Sequence, residues 1–314
     1  MVRVDRGSVD VAVDGSVELV SRGSANLLVG DWVLVGRDHS LVPAVLGVEP
    51  RRSLLGRGSA DRTSSEQGLA ANVDIVLVVE PIDPHPSLGR IERLLVLAWA
   101  SGAVPVVVLT KADRGEDMDS VLADVTRAAP GIAVLALSAR SGTGMNDLRA
   151  MIGPGRTFVL VGPSGAGKST LVNALAGQNL MATAEARHDG RGRHVTTHRQ
   201  LVELSDGSVL IDTPGLRSVG LTGDLDAVDD AFADITSVAA TCRFRDCQHD
   251  SEPGCAVTAA VADDRISVRR VESWRRLRRE AAWQERRNDK QAQRAAERDL
   301  ERQYERQRGG HVEY

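Results

Sequence analysis

The rhythm of hydrophobic and polar positions changes near residue 70. Before that point, short β-prone runs (VDVAVDG, SVELV, DWVLVG, LVPAVLGV) are separated by Gly, Asp, Asn and Ser. They predict an all-β unit over residues 1–67, with about five strands, the size of a small barrel. The stretch RRSLLGRGSADRTSSEQG is polar, basic and poor in packing residues, and it predicts a mobile linker. Its Arg51, Arg52, Arg57 and Arg62 either touch phosphate or sit in water. Beyond residue 70 the apolar runs lengthen. VDIVLVVE (73–80) is nearly all apolar, as a strand buried on both faces requires. LGRIERLLVLAWASG reads as a helix, with Leu88, Ile91, Leu95, Leu97 and Trp99 supplying its apolar faces. Strand and helix then alternate. VPVVVLTKAD is strand and loop, DMDSVLADVTRAAPG a helix closed by Gly131, IAVLALSARSGTG strand and loop, and MNDLRAMIG a short helix. TFVLVGPSGAGKSTLVNALAG is strand, glycine loop and helix, and LVELSDGSVLIDTPGL holds two strands joined at Asp206-Gly207. This alternation predicts a wound α/β domain over residues 68–222. Residues 223–314 begin acidic and helical and pass through a cysteine cluster. They end in helix-forming residues from Ile266 to about Arg308. The last part, QAQRAAERDLERQYERQR, has little apolar stripe and reads as a solvated or frayed helix.

Composition adds two things. No stretch is long and apolar enough to cross a membrane, and MVRVDRGSVDVAVDG lacks the apolar core of a secretion signal, so the expected compartment is the cytoplasm. The net charge of -4 hides an asymmetry: residues 265–308 carry fifteen Arg and Lys against eight Asp and Glu, while the chain before them is acidic. A basic end on an acidic body suits a polyanionic partner touched at that end; a solvated helix rich in ion pairs would show the same count.

The candidate chemistry lies at strand ends. Gly162-Pro163-Ser164-Gly165-Ala166-Gly167-Lys168-Ser169 fits G-x4-G-K-[ST] in full, with a strand before it and a helix after it. Its glycines let several N–H groups face a phosphate, and the helix adds its positive end. Lys168 then reaches the terminal phosphate oxygens and Ser169, followed by Thr170, faces Mg²⁺. Downstream, Asp212-Thr213-Pro214-Gly215 ends another strand. Asp212 suits Mg²⁺, usually through water, and the Gly215 N–H suits a contact with the γ-phosphate that is lost on hydrolysis. Between the two lies HDGRGRHVTTHR, polar and basic, where Thr196 or Thr197 could supply a second Mg²⁺ ligand. Guanine carries an N1–H and a 2-amino group that a carboxylate can accept from, whereas adenine would leave that carboxylate facing a lone pair. Thr110-Lys111-Ala112-Asp113 offers such a carboxylate at Asp113, with the Lys111 stem over the ring, and Ser138-Ala139 offers the Ala139 N–H to O6. These loops leave strands of the same predicted sheet, where α/β folds bind ligands.

All three cysteines fall within fourteen residues, Cys242-x4-Cys247-x-His249-x5-Cys255. Three thiolates and an imidazole fit a closed four-coordinate Zn²⁺ site, which is structural because no position is left for water. The following RISVRRVESWRRLRR pairs an apolar side (Ile266, Val268, Val271, Trp274, Leu277) with arginines on the exposed side, suited to phosphate.

TKAD, SA, GPSGAGKST, the threonine pair and DTPG resemble the five motifs of GTPases, but with the base-reading loops ahead of the phosphate loop, which is a circular permutation. With GDWV, QGLAANVD, GRHVTTH and CRFRDCQHDSEPGC, the chain resembles the bacterial small-subunit-dependent GTPase family known as RsgA over roughly residues 15–280. The resemblance implies an OB-fold barrel, a permuted GTPase domain and a zinc-binding helical domain. It also implies GTP/GDP and Mg²⁺ as ligands, a monomer, and the 30S subunit with its 16S rRNA as partner. Hydrolysis would be stimulated by the subunit and accompany release during late assembly. A GTPase switch acting on a protein partner outside the ribosome is the alternative reading. Two departures stand out. Thr110 replaces the usual Asn, which predicts some lost bridging to the phosphate loop and weaker binding. Leu216 stands where many small GTPases have a water-orienting glutamine. His194 is the first candidate to supply that contact, in line with a role suggested for the matching family residue, and His198 is the second.

Overall fold

The computed structural model describes residues 3–4, 7–14, 16–22, 26–37, 42–57, 67–115, 117–181, 200–212, 223–250 and 252–309, the side chains of 291–292 and 294–309 excepted. The N-terminal strands are β1 (Arg3–Val4), β2 (Ser8–Val13), β3 (Ser16–Ser21), β4 (Val33–Arg37) and β5 (Pro43–Val48). β1, β2 and β3 pair antiparallel, β3 pairs parallel with β5, and β5 pairs antiparallel with β4. Alternation sends Val9, Val11 and Val20 inward with Leu27, and Val4, Val13, Val33, Val35 and Val45 pack against them. All five strands thus share one small core. Among the described residues no ladder returns from β4 to β1 or β2.

Part of the expected linker is a strand. β6 (Leu54–Arg57) pairs antiparallel with β7 (Gln67–Ala71), which satisfies its backbone and buries Leu55 completely. Residues 58–66, with Arg62, lie outside the described residues. Arg51 is half-buried and already engaged. It holds the buried Asp31 through two hydrogen bonds of 2.7 and 2.9 Å, because a buried carboxylate demands a partner.

The central elements follow the predicted alternation: β8 (Ile75–Pro81), α1 (Leu88–Ala100), β9 (Val104–Thr110), α2 (Met118–Ala128), β10 (Ala133–Ala136), α3 (Met145–Ile152), β11 (Thr157–Val161), α4 (Lys168–Ala176), β12 (Gln200–Glu203) and β13 (Val209–Asp212). Strands β10, β9, β8, β11 and β13 run parallel in that spatial order, and β12 adds antiparallel. Every residue of β8 is buried because the two faces pack separately. Val76 and Val78 face a core shared with α1 and α2, while Ile75, Leu77 and Val79 face one shared with α3 and α4. β12 also pairs with β1 through Gln200 and Arg3, so the N-terminal strands continue the same eleven-stranded sheet.

The helical end comprises α5 (Leu225–Ala231), α6 (Ala233–Ala239), α7 (Ala256–Ala262) and α8 (Val268–Gly309). Asp224 starts α5 by accepting from the Ala227 N–H at 3.0 Å. On α8 the expected apolar side is Val271, Trp274 and Leu277, continued by Ala281, while Val268 is 58% exposed at the first turn. Arg270, expected on the exposed side, is 3% exposed. The backbone of the final stretch is helical to Gly309.

Candidate nucleotide site and metal cluster

The chain passes from β8 to β9 and β10 on one side, and β11 takes the other side of β8. The sheet therefore changes direction between β8 and β11, where parallel α/β sheets open a crevice at the carboxyl ends of their strands. The phosphate-loop sequence occupies that point, leaving β11 at Val161 and entering α4 at Lys168. Gly162 sits at φ +146°, and a Cβ there would come within 2.1 Å of the Val79 carbonyl, so only glycine lets the loop start over β8. The Lys168 ammonium folds back along the loop and donates to the Gly162 and Pro163 carbonyls at 2.7 and 2.6 Å. Ala166 is fully buried, Ser169 is half-buried, and Ser164, Gly165 and Thr170 are exposed.

The two base-reading candidates meet. Lys111 takes a left-handed conformation (φ 61°) that turns the chain out of β9, and a short 3₁₀ turn, Ala112–Arg114, presents Asp113 to solvent. The Ala112 N–H donates to the Leu137 carbonyl at 3.1 Å, which joins this loop to the one after β10. The Ser138 side chain holds the Asp113 carboxyl below its ordinary range by hydrogen bonding, helped by the nearby cations Arg114 and Arg140. Ser138 is buried, and Ala139 beside it is half-buried.

At Thr110 the structure shows which bridging the hydroxyl keeps. Its buried hydroxyl lies 2.5 Å from the Ala166 carbonyl inside the phosphate loop and 3.4 Å from the Glu80 carbonyl. Thr110 therefore bridges β9 to the phosphate loop. Beside it, Gly167 takes the left-handed backbone (φ +87°) that closes the loop into α4.

Asp212 ends β13, next to β11. Burial pushes its carboxyl up to about 6. Gly215, His194, His198, Thr196, Thr197 and Leu216 lie outside the described residues.

Away from this crevice, one ligand atom from each of Cys242, Cys247, His249 and Cys255 lies within 4.8 Å of the others. Cys242 Sγ is 3.4 Å from His249 Nδ1 and 4.0 Å from Cys255 Sγ, and Cys255 Sγ is 3.8 Å from that nitrogen. Thiolates in a tetrahedron with metal–sulfur bonds of ~2.3 Å lie ~3.8 Å apart, so these donors fit such an ion. The Ala256 and Thr258 N–H groups point at Cys242 and Cys255 sulfurs at 3.3 and 3.4 Å, at the start of α7. Burial raises the Cys255 thiol, but hydrogen bonds from Thr258 and from His249 and Cys247 outweigh it and hold the group at about 6. A thiolate at a helix N-terminus is what metal ligation uses.

The sequence pattern of the family described as RsgA GTPase matches residues 48–222. The chain is 45% identical over 293 residues to the Small ribosomal subunit biogenesis GTPase RsgA of Streptomyces avermitilis, covering 89% of this chain and 78% of that protein. The chain belongs to the RsgA GTPase family. The protein of the same name from Xanthomonas campestris is 46% identical over 256 residues, with 81% of this chain and 69% of that one covered. The crystal structure of YjeQ from Thermotoga maritima matches with TM-score 0.68 at 25% identity, over 89% of this chain and 96% of that one. YloQ, a circularly permuted GTPase, shares the fold with TM-score 0.65 at 24% identity, covering 89% and 93% of the two chains. The permuted order of an RsgA GTPase is visible here as base loops at Thr110 and Ser138 that precede the phosphate loop at Gly162. Sequence reading missed two neighbours of the site. Glu80 is fully buried with Arg90 on its carboxylate, and its carbonyl faces Thr110. Its signal was an acid closing an otherwise apolar strand. Arg140, next after Ser138-Ala139, acts on Asp113 and was readable only as a loop cation.

Proposed function

We propose that this chain binds GTP across the phosphate loop and the Asp113 loop, hydrolyses it with Mg²⁺, and serves as a late assembly factor of the small ribosomal subunit. The observation that carries the reading is the junction of the three loops. Thr110 bonds the phosphate loop while Asp113, three residues on, is held by Ser138. In this reading one nucleotide lies with its base at Asp113 and its phosphates at Gly162 to Ser169. The curated relatives, whose names specify small-subunit biogenesis, support the choice of partner.

In this reading the N–H groups of Ser164 to Gly167 and the ammonium of Lys168 hold the phosphate tail. Asp113 and the Ala139 N–H read the guanine edge, and Lys111 covers its face. Ser169, Asp212 and one of Thr196 or Thr197 would hold Mg²⁺, which supplies charge neutralisation on the transferring phosphate. Gly215 senses that phosphate and His194 orients water. Cys242, Cys247, His249 and Cys255 would hold one Zn²⁺ that fixes the turn between α6 and α7. The chain divides into an OB-like unit (1–67), the permuted GTPase unit (68–222) and the zinc and basic helical unit (223–314). It works as a cytoplasmic monomer on 30S subunits and their 16S rRNA; no described helix is long and apolar enough to cross a membrane.

The test is phosphate release from GTP and from ATP, with and without purified 30S subunits. We expect slow GTP turnover alone, a large increase with subunits, and little ATP turnover. GTP turnover unmoved by subunits, with nucleotide affinity intact, would point instead to a protein partner outside the ribosome. The H194A protein should bind GTP normally and lose most of the stimulated turnover; unchanged stimulation would remove His194 from the mechanism.

A further inference from the structure

Two locally unfavourable choices meet at the carboxyl end of β8. Glu80 is a fully buried acid in an otherwise apolar strand. Arg90 is a cation in the first turn of α1, where the positive end of the helix disfavours one. The two compensate each other. Arg90 Nε donates to Glu80 Oε1, and Arg90 Nη2 donates to Oε2 at 2.9 Å. The result is a bidentate pair whose carboxylate is buried and whose arginine side chain is 44% exposed. Packing alone does not require it, since an apolar side chain of similar volume would fill the place of Glu80 without burying a charge.

The backbone at this pair carries the nucleotide loops. Gly162 starts the phosphate loop over the Val79 carbonyl, too close for any Cβ. The Thr110 hydroxyl bonds Ala166 late in that loop and lies 3.4 Å from the Glu80 carbonyl. The Ile82 N–H donates to the Thr110 carbonyl at 2.9 Å. The Ile82 side chain packs on Gly115, just past the Asp113 turn, where an added Cβ would come within 2.8 Å of it. Residues 79–82 are thus a floor on which the phosphate loop and the Asp113 loop both rest. We propose that Glu80 and Arg90 are positioning residues for the nucleotide: they fasten this floor to α1 and so hold Thr110, and through it the phosphate loop, in the form that binds GTP. The proposal rests on the GTP binding read above. Both residues act through the Thr110 bridge rather than on the nucleotide itself. Arg93, also on α1, makes a comparable pair, but with Glu280 of α8 instead of the floor.

The test is titration of the full-length protein with a fluorescent GTP analogue, alongside urea unfolding. The E80M/R90M protein replaces the pair by apolar side chains and should keep the wild-type unfolding midpoint, because exchanging a buried pair for packed apolar groups is often neutral. Its GTP affinity should nevertheless fall about tenfold. E80Q, which keeps the volume and one of the two hydrogen bonds, should lose about fivefold. In a T110V background neither change should cost more than about twofold further, since a residue that acts through that hydroxyl has little to add once it is gone. R93A should bind GTP as wild type does. Affinity within twofold of wild type in E80M/R90M would overturn the proposal, and so would a loss that adds in full to that of T110V. A loss that tracks a falling unfolding midpoint across the variants would overturn it too, by assigning the pair to stability alone. If E80M/R90M does not fold, E80Q with and without T110V decides by the same additivity. Wild-type protein that fails to bind the GTP analogue would instead sink the nucleotide reading beneath the proposal.

Discussion

At the scale of single residues, Thr110 shows how one contact changes what a substitution means. By type, threonine has a single hydroxyl where asparagine has an amide donor and a carbonyl. In the fold that hydroxyl is buried and reaches Ala166 inside the phosphate loop. Thr110→Val keeps the shape and leaves the Ala166 carbonyl unpaired, at a cost of about 1–3 kcal/mol. Titration with a fluorescent GTP analogue should then show affinity down by roughly 5- to 100-fold. Affinity within twofold of wild type would mean the bridge is incidental. Asp113 illustrates the converse. Its role was read from its place after a buried strand, but the Ser138 partner that holds its charge comes from another loop entirely.

At the scale of elements, the cysteine segment lacks the apolar residues to hold itself. α7 spans only Ala256–Ala262, and of the four cluster residues only Cys255 is fully buried. With the Zn²⁺ proposed above, folding there would draw on metal binding. Chelation at neutral pH should reduce far-UV helicity and shift tryptophan emission to the red, since Trp274 packs at His249. GTP affinity should persist, because the phosphate and Asp113 loops leave the parallel strands at Val161 and Thr110, away from the cysteine loop. Unchanged spectra after the metal is shown to be gone would exclude a structural role.

At the scale of the whole molecule, a buried ion network joins the helical end to the GTPase unit. Arg270 donates to Asp234, to Glu92 at 3.1 Å, and to the Ala128 and Ala231 carbonyls at 2.7 and 3.1 Å, with the Phe232 ring beneath it at 4.5 Å. Arg93 pairs with Glu280 nearby. α8 is therefore fastened to α1 and α2. Arg270→Ala leaves Glu92 to Arg269 alone, takes the guanidinium from Asp234 and from the Ala128 and Ala231 carbonyls, and opens a void, so we expect a loss of about 3–5 kcal/mol in urea unfolding. Arg93→Ala, removing a half-exposed pair, should cost no more than about 1 kcal/mol. Equal losses for the two would show that burial is not what gives Arg270 its weight.

Much of this protein is determined by local pattern. The buried strands VDIVLVVE and VPVVVLTK, the glycine loop at Gly162, the turn at Asp206-Gly207 and the cysteine spacing each follow from a few adjacent residues, because period, backbone freedom and ligand chemistry act over short range. Local pattern also revealed the permutation, since motif order is sequence order. What only the tertiary structure decided involves residues distant in the chain. Examples are the Thr110 bridge to Ala166, Asp31 claiming Arg51, and Glu92 burying Arg270. An arginine looks the same in sequence whether or not a carboxylate lies opposite it. Which case holds depends on packing across the sheet, where burial makes an unpaired charge costly enough to select its partner.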